Sequence, residues 1–329
     1  MNSTREAPHA APVLIGLDWG TSSLRGFLMD GRANILAERA TAHGIQNLPL
    51  PGAAGFERAF ADLCGDWLAT NPSLPVVAGG MVGSAQGWVE APYVTTPADA
   101  LTLANRAASV DSADGRRILI APGVLHDPAG GTPDVMRGEE IQIAGALAEN
   151  PTWAARACVA MPGTHSKWVR IADGRIAGFS TYMTGELFAV LRTHSILGRL
   201  MPEGAEATPD QEAAAFEAGV RAASTAGPGD LPHQLFATRT LGLTRRLPAE
   251  SLKHYLSGLL IGHELVSGLA RLRAEPAGTP LLLIGDSGLC GRYARALAVL
   301  GVAPTAQLGN TAPRGLFQFA AAAGLLPAA

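Results

Sequence analysis

The sequence has few charged residues and no strong excess of either sign. Asp, Glu, Lys and Arg make up 16% of its 329 residues, and the formal net charge is −3. Because nucleic-acid binding depends on a strongly basic surface, this composition excludes nucleic acid as an expected partner. Hydrophobic residues, in contrast, reach 47%. The chain can therefore bury a sizeable core, either in two compact domains or in one large one.

Cysteine is also scarce. Cys64, Cys158 and Cys290 lie far apart, are odd in number and follow no metal-ligand spacing. These features argue against a disulfide framework and against a cysteine metal site. We therefore expect free thiols in the core of a reduced, cytoplasmic protein.

Long hydrophobic runs are missing. Residues 1–12 are polar and alanine-rich and lack the apolar centre of a signal peptide. Apolar stretches of the C-terminal half, such as 256–261 and 319–326, are far shorter than a membrane span. We interpret both stretches as buried helix segments and expect no membrane partner.

One pattern occurs twice in the chain. An apolar run leads to a glycine with small polar residues, a second apolar run follows, and the pattern ends in Asp-Gly, first in 13–31 and again in 158–180. The spacing from Gly20 to Gly31 equals that from Gly163 to Gly174. Two three-stranded meanders with polar hairpin tips predict two related domains. The simpler alternative is coincidence, since Gly-Thr and Asp-Gly are common hairpin dipeptides.

Strands and helices alternate in the rest of the chain. Apolar spacing and turn residues predict strands at 74–78, 117–121 and 281–284, and helices at 56–68, 139–148, 248–272 and 292–300. Meander strands followed by such alternation indicate an α/β fold with mixed sheets covered by helices.

Several segments together resemble the 2-dehydro-3-deoxygalactonokinase family, which has the actin-like ATPase fold of sugar kinases. The more specific ones are "PGTHSKWV" and "MRGEE", whereas "LDWGTSSLRGFLMDG" indicates only the broad fold. Further matching segments are "GGMVGSAQGWVEAPYV", "DVMRGEEIQIAGAL", "MPGTHSKWVRIADGRI", "MTGELFAVLRTHSILG" and "YLSGLLIGHEL". The resemblance implies two duplicated actin-like ATPase (ribonuclease H-like) domains with a cleft between them.

We place the domain boundary near residue 155. Residues 1–155 form the predicted N-terminal domain, with the first phosphate element and the sugar-acid site. Residues 156–329 form the predicted C-terminal domain, with the second phosphate element and the adenosine site. The last segment, 311–329, is a candidate to return to the first domain.

The hairpin tips suit phosphate chemistry. Phosphoryl transfer depends on positioning and charge neutralisation, and glycine lets a phosphate approach backbone N–H groups. Asp18 lies just before the first tip, where its carboxylate can hold Mg²⁺ directly or through water. The alternative is a solvated turn with a local Asx hydrogen bond. The candidate nucleotide-binding residues of the two tips are Gly20, Thr21, Ser22, Ser23, Gly163, Thr164, Ser166 and Lys167.

Alternatives remain open for Lys167 and for a turn later in the chain. Lys167 can add a charge at the second tip, but strand alternation also allows it to face solvent. The turn formed by Gly285, Asp286 and Ser287 lies against the adenosine if the resemblance holds. A strand–turn–helix connection of this kind can also bind phosphate or serve as a plain turn.

The sugar-acid site is expected in the N-terminal half. The loop after the predicted strand at 74–78 offers Gly83, Ser84, Gln86 and Trp88, although a tryptophan can equally belong to the core. Arg137 stands at a helix start, where an arginine suits a substrate carboxylate, and Glu139 in the first turn of that helix is a further candidate for the site.

The general base is not fixed by the sequence. The second tip has Met161 where the first has Asp18, so it lacks the aspartate that many sugar kinases of this fold carry there. Three candidates remain: His165, Glu139 and Asp18 itself. We favour His165 because it lies on the phosphate element, and Glu139 can also be a simple helix-dipole partner.

The expected function follows from the resemblance. It implies ATP-dependent phosphorylation of 2-dehydro-3-deoxy-D-galactonate to its 6-phosphate, in galactonate catabolism, with ATP and Mg²⁺ as cofactors. The alternatives are an actin-like regulator without this catalysis and a kinase for another sugar acid. The expected partner is a small-molecule sugar acid, and a homodimer is left open.

Overall fold

The computed structural model describes residues 11–202, 204 and 206–326. The chain divides into two compact units. Unit 1 comprises the described residues of Met1–Ala155, Ile171–Gly178 and Asn310–Ala329, and unit 2 comprises those of Arg156–Arg170 and Phe179–Gly309. The end of the chain thus belongs to the same unit as its beginning.

Unit 1 is built on a mixed sheet whose strand order is β3-β2-β1-β4-β7-β6. Strands β1, β2 and β3 are antiparallel neighbours, β1, β4 and β7 are parallel, and β6 is antiparallel at the edge. Unit 1 also contains a separate three-stranded sheet with the order β5-β8-β9. The elements are β1 (Pro12–Trp19), β2 (Leu24–Asp30), β3 (Ile35–Thr41), α1 (Ala53–Thr70), β4 (Val76–Gly80), β5 (Tyr93–Thr95), α2 (Ala100–Ala104), β6 (Ala108–Asp111), β7 (Arg117–Ile120), β8 (Gly123–His126), β9 (Asp134–Met136) and α3 (Glu139–Glu149).

Unit 2 repeats the strand order of unit 1. Its five-stranded sheet runs β12-β11-β10-β13-β14, with β10, β13 and β14 parallel. The far end of the β11–β12 hairpin, residues 171–178, is grouped with unit 1. If the strands of each sheet are numbered along the chain, the third, second, first and fourth lie side by side in that order in both sheets. The elements are β10 (Arg156–Met161), β11 (Ser166–Ala172), β12 (Arg175–Tyr182), α4 (Thr184–His194), α5 (Pro209–Ser224), α6 (Leu231–Leu243), α7 (Leu252–Arg273), β13 (Leu281–Ile284), α8 (Ser287–Val299) and β14 (Ala306–Leu308), and α9 (Ala312–Ala322) then ends the fold in unit 1.

The repeated order confirms the predicted fold class, α/β with two duplicated units of the actin-like ATPase (ribonuclease H-like) type. The predicted strands and helices are present. Helix α8 begins at Ser287, five residues earlier than predicted, because the Asp286 carboxylate accepts a hydrogen bond from Leu289 N (2.9 Å) and caps the helix.

The core of unit 1 covers both faces of its sheet. On one face, buried aromatic and aliphatic side chains of α1 pack against strand residues such as Trp19 and Val76. On the other face, α3 and α9 approach each other closely. A Cβ atom at Gly145 would lie 2.0 Å from the Thr311 carbonyl oxygen, so only glycine permits this contact. The close packing fixes the C-terminal helix to unit 1.

The core of unit 2 centres on helix α7. Leu265 and Leu269 of α7 pack with Trp168, Leu283 and Tyr293 in one buried cluster.

Among the described residues, no helix is long and apolar enough to cross a lipid bilayer.

Candidate active site

The first phosphate element is the turn between β1 and β2. Thr21, Ser22 and Ser23 are exposed, and Gly20 N donates to Ser23 O at 2.9 Å, which closes the turn. None of the three hydroxyl groups has a hydrogen-bond partner within residues 11–202, 204 and 206–326. The turn therefore offers free donors to a ligand.

A backing loop, residues 43–47, holds the carbonyl oxygens of this turn. Ile45 N donates to Gly20 O at 3.1 Å and Gln46 N donates to Thr21 O at 3.0 Å. The Asn47 side-chain amide reaches the next carbonyl oxygen, that of Ser22, at 3.4 Å.

These contacts orient the amide groups of the turn. In a trans peptide the carbonyl oxygen and the following N–H point in opposite directions. The N–H groups of Thr21, Ser22 and Ser23 therefore point away from the backing loop. They donate to no acceptor in the described part of the chain. Successive outward amides of this kind form an anion-binding concavity.

Asp18 lies at the end of β1, opposite Arg25 of β2. Its Oδ2 atom is 2.8 Å from Arg25 Nη2, whereas Oδ1 accepts no hydrogen bond from a described residue. Burial raises the pKa of the Asp18 carboxyl, and the Arg25 charge opposes this shift. A desolvated carboxylate with one unengaged oxygen beside an anion-binding turn fits a divalent cation. No cluster of three or more His, Cys, Asp or Glu occurs among the described residues, so protein ligands alone would not complete the coordination.

The second phosphate element is the turn between β10 and β11. Thr164 and His165 are exposed at its tip. The start of α4 lies behind it: Glu186 N donates to Thr164 O at 3.1 Å, and a Cβ at Gly185 would lie 2.6 Å from Gly163 O. The same peptide geometry then turns the N–H of His165 outward.

Two predicted residues of this element are buried. Ser166 is fully buried, and its Oγ lies 3.0 Å from the Tyr293 hydroxyl. Lys167 is 6% exposed, and its Nζ donates to Thr181 Oγ1 at 2.8 Å, so the solvent-facing alternative is wrong. Neither side chain is therefore exposed beside Thr164 and His165 at the tip.

His165 has a partner that the sequence analysis did not identify. Its Nε2 contacts Glu186 Oε2 of α4, and both side chains are about half exposed. The two residues are distant in sequence, but the "MTGEL" segment that carries Glu186 directly follows the meander. The contact forms a histidine–carboxylate pair at the phosphate turn.

The predicted adenosine turn lies close to the second phosphate element. A Cβ at Gly285 would lie 3.5 Å from the Pro162 carbonyl oxygen, next to the turn. The Asp286 side chain caps α8, and Ser287 is exposed at the first position of that helix. The arrangement brings a helix N-terminus to the second phosphate element.

Arg137 is the most unusual side chain of the predicted sugar-acid site. Its Nη2 donates to Ala91 O at 2.9 Å, and its guanidinium carbon lies 4.5 Å from the centre of the Tyr93 ring. Its Nε and Nη1 atoms are buried and have no hydrogen-bond partner in the described part of the chain. The Ser84 Oγ is likewise buried and unpartnered. Buried donors without acceptors are rare in native proteins, and a ligand or an ordered water supplies the acceptor where they occur.

Two glycines bring these groups together. Gly80 has φ 97°, and its missing Cβ would lie 2.8 Å from the Trp19 carbonyl oxygen. Gly138 has φ 107° and precedes α3, and a Cβ there would lie 3.3 Å from the Gly80 Cα. A Cβ at Gly83 would lie 3.1 Å from Arg137 Nη1, so the loop after β4 contacts the guanidinium.

The other loop residues differ in environment. Trp88 packs against Phe56 with stacked rings 5.9 Å apart and meets Trp19 edge-on at 5.8 Å, which makes it part of the core. Gln86 is exposed.

The two glutamates at the start of α3 cap backbone amides. Glu139 Oε2 accepts from Arg137 N at 3.0 Å. Glu140 is fully buried, and both its oxygens accept from Gly138 N, at 2.9 and 2.7 Å. Burial, reinforced by the charge of Glu139, raises the pKa of Glu140 from its ordinary value of 4.5 to about 8.

The comparisons with known proteins agree with this architecture. The sequence profile of the 2-keto-3-deoxy-galactonokinase family matches residues 18–319. The 2-dehydro-3-deoxygalactonokinase of Escherichia coli is 37% identical over 301 residues, which cover 91% of this chain and 94% of the relative. A Rhizobium meliloti protein named "Probable 2-dehydro-3-deoxygalactonokinase" is 38% identical over 291 residues, covering 87% and 89%.

A solved structure supports the same assignment. The crystal structure of a Sinorhizobium meliloti protein assigned to the 2-dehydro-3-deoxygalactonokinases superposes with a TM-score of 0.79 at 36% identity, covering 94% of this chain and 98% of the other. The fold and the matches define a kinase of the actin-like ATPase fold, and such a kinase uses ATP. The chain belongs to the 2-keto-3-deoxy-galactonokinase family.

Substitution of Gly44 should weaken nucleotide binding. A Cβ at this position of the backing loop would lie 2.4 Å from the backbone of Ser22 and Ser23, so Gly44→Ala must displace the turn. We expect a non-hydrolysable ATP analogue to bind about tenfold more weakly in calorimetry, equivalent to about 1.4 kcal/mol. Gly31→Ala is the matched control, because nothing lies within 4 Å of a Cβ there. Equal affinities of the Gly44→Ala variant and the wild type would contradict the role of the backing loop.

The buried Glu140 should make stability depend on pH. Its pKa of about 8 in the fold exceeds its value in the unfolded chain, so the folded state holds the proton more tightly. The stability that this group contributes is complete below about pH 4.5 and is lost as pH rises towards 8. Relative to Glu140→Gln, the wild type should lose about 1 kcal/mol of unfolding free energy per pH unit between pH 5 and 8. Urea unfolding of both proteins measures this difference, and a constant difference would count against the buried titration.

Proposed function

We propose that the protein transfers the γ-phosphoryl group of ATP to the 6-hydroxyl of 2-dehydro-3-deoxy-D-galactonate, in galactonate catabolism. Family membership supports this reaction. The structural observation that carries it is the Arg137 guanidinium with two buried, unpartnered nitrogens beside the unpartnered Ser84 hydroxyl, among the described residues. A substrate carboxylate supplies the acceptors that these donors lack.

We assign the phosphates of ATP to backbone amides of both turns. In the first turn the donors are the N–H groups of Thr21, Ser22 and Ser23, whose hydroxyl groups add further donors. In the second turn they are the N–H groups of Thr164 and His165. Gly285, Asp286 and Ser287 are assigned to the adenosine side. Because Ser166 and Lys167 are buried, they support the second turn from within.

Asp18 is the proposed ligand of Mg²⁺, through its unengaged Oδ1 or through a water molecule. When bound, the ion neutralises charge on the phosphates. Arg25 keeps Asp18 at the end of β1, at 2.8 Å, and favours its ionised form.

The proposed general base is His165. Its exposed position on the second turn allows it to take the proton of the attacking hydroxyl, and Glu186 orients its ring through Nε2. The two other candidates already have partners: Glu139 accepts from Arg137 N and Asp18 pairs with Arg25.

The substrate assignment is tested with a coupled ADP-release assay. 2-Dehydro-3-deoxy-D-galactonate should be phosphorylated efficiently, whereas glucose and glycerol should be poor substrates because they leave the guanidinium unpaired, at a cost of about 2–5 kcal/mol. Arg137→Ala should mainly raise KM for the acid. Arg58→Ala, at an exposed position of α1, is the control. Comparable kcat/KM for glucose and the acid would sink the proposal.

The metal role is tested with Asp18→Asn, which preserves size and removes the charge. We expect kcat to fall at least tenfold while the far-ultraviolet circular dichroism stays unchanged. The Mg²⁺ concentration for half-maximal activity should rise. Unchanged kcat and Mg²⁺ dependence would refute this role.

The base is tested by the pH dependence of kcat in three proteins. The wild type should lose activity on the acidic side, as expected for a reaction that uses a general base. His165→Asn should abolish this acidic limb. It should lower kcat by only about a hundredfold, since phosphoryl transfer needs little proton transfer in its transition state. Glu139→Gln should retain the limb. If Glu139→Gln abolishes the limb and His165→Asn retains it, the base is the glutamate.

A cytoplasmic location and a homodimer are predictions from the sequence alone. Cell fractionation and size-exclusion chromatography of the purified protein test them.

A further inference from the structure

Glu264 of α7 is a buried carboxylate that the proposed reaction does not use. It is 3% exposed, and no cation pairs with it in the part of the chain that the structure describes. Three donors compensate it instead: Trp168 Nε1 at 2.9 Å, the Tyr293 hydroxyl at 2.6 Å and the Thr184 hydroxyl. These donors come from β11, α8 and α4, so one carboxylate ties together three elements next to the second phosphate turn.

The first connection from Glu264 to the turn runs through Tyr293. The Tyr293 hydroxyl donates to Glu264 and lies 3.0 Å from Ser166 Oγ. Ser166 begins β11 directly after the turn, and its Oγ lies 3.5 Å from the Gly163 carbonyl oxygen. Since Tyr293 and Ser166 are almost completely buried, water does not compete for these contacts.

The second connection runs through the start of α4. Thr184 donates to Glu264, and Gly185, the next residue, packs on the backbone of Gly163 and Thr164. Glu186 N then donates to Thr164 O at 3.1 Å. The Ser166 hydroxyl has one proton, and the Tyr293 oxygen accepts it because the Tyr293 proton goes to Glu264. The first connection therefore fixes the start of β11, directly after the turn, and the second holds the Thr164 carbonyl oxygen.

We propose that Glu264 is a positioning residue for ATP: by fixing the starts of β11 and α4 next to the second turn, it keeps the Thr164 carbonyl oxygen inward and the N–H of His165 outward to the phosphates. The inference rests on the proposed function, because it assumes that the second turn binds ATP. The peptide geometry makes the effect specific, since each inward carbonyl fixes the direction of the next N–H. The network therefore acts on nucleotide binding and leaves the sugar-acid site unaffected.

The test removes the first connection with minimal change in volume. Tyr293→Phe deletes the hydroxyl between Glu264 and Ser166, and Ser166→Ala deletes the next link. Tyr255→Phe is the matched control. Tyr255 is buried, as Tyr293 is, and lies on α7. Its hydroxyl has no partner among the described residues. Each variant is measured for binding of a non-hydrolysable ATP analogue and for the KM of ATP and of 2-dehydro-3-deoxy-D-galactonate.

We expect Tyr293→Phe and Ser166→Ala each to weaken analogue binding and raise KM for ATP about tenfold, as for the loss of one hydrogen bond. KM for the acid should change less than twofold, and Tyr255→Phe should match the wild type in both. The double variant should be no worse than the worse single variant, because both break one chain of contacts.

Three outcomes would overturn the inference. These are an unchanged KM for ATP in both variants, equal rises in both KM values, and a loss of thermal stability without a change in analogue affinity. Failure of the proposed function is a separate result. In that case the wild type binds the analogue but does not phosphorylate the acid, and the analogue affinities still test the role of Glu264.

Discussion

The direction of a peptide group is the constraint on which the candidate site depends. A trans peptide points its carbonyl oxygen and the following N–H to opposite sides, so a turn can present several N–H groups outward only if its carbonyl oxygens are held behind it. In unit 1 the backing loop holds the carbonyl oxygens of Gly20, Thr21 and Ser22. In unit 2 the start of α4 holds that of Thr164. A chain with few charged residues can bind a highly charged nucleotide in this way, with backbone dipoles in place of many cationic side chains.

The same backing device occurs in both units. In each, the chain that leaves the third strand of the meander turns back onto the first hairpin tip. The contact depends on a glycine three residues after that strand: Gly44 follows β3, which ends at Thr41, and Gly185 follows β12, which ends at Tyr182. A Cβ at either glycine would overlap the backbone of the tip. The duplication therefore includes the support of the turn as well as its strands.

Much of the fold could be predicted from the sequence, because its determinants are local. Apolar periodicity and turn residues locate three strands outside the meanders and four of the helices, and the repeated spacing of glycines predicts the duplicated meander. Short strands such as β5 and β9 and the helices α4, α5 and α6 were not predicted. Arg137 could be selected as a candidate because an arginine at a helix start is locally recognisable. Its two nitrogens without a partner among the described residues could not be foreseen from sequence.

The supporting residues could not be predicted in this way. Glu186 reaches His165, and Glu264 reaches Tyr293 and Thr184, only through tertiary packing. From its residue type, a glutamate inside a long helix such as α7 is expected to face solvent. Its burial depends on neighbours that are distant in sequence. Similarly, strand alternation allows Lys167 to face solvent, but its side chain is 6% exposed and donates to Thr181.

The two phosphate turns are alike in their backbone, but equivalent positions beside them carry different side chains. Asp18 and Arg25 face each other on β1 and β2, and the repeat places Met161 and Trp168 at the corresponding positions. Met161 and Trp168 are 5% and 3% exposed. A carboxylate at 161 would be desolvated without a cation at 168 to pair with it. Trp168 instead donates to Glu264 at 2.9 Å. The strand position that pairs with Asp18 in unit 1 thus holds, in unit 2, a donor to the buried carboxylate of Glu264.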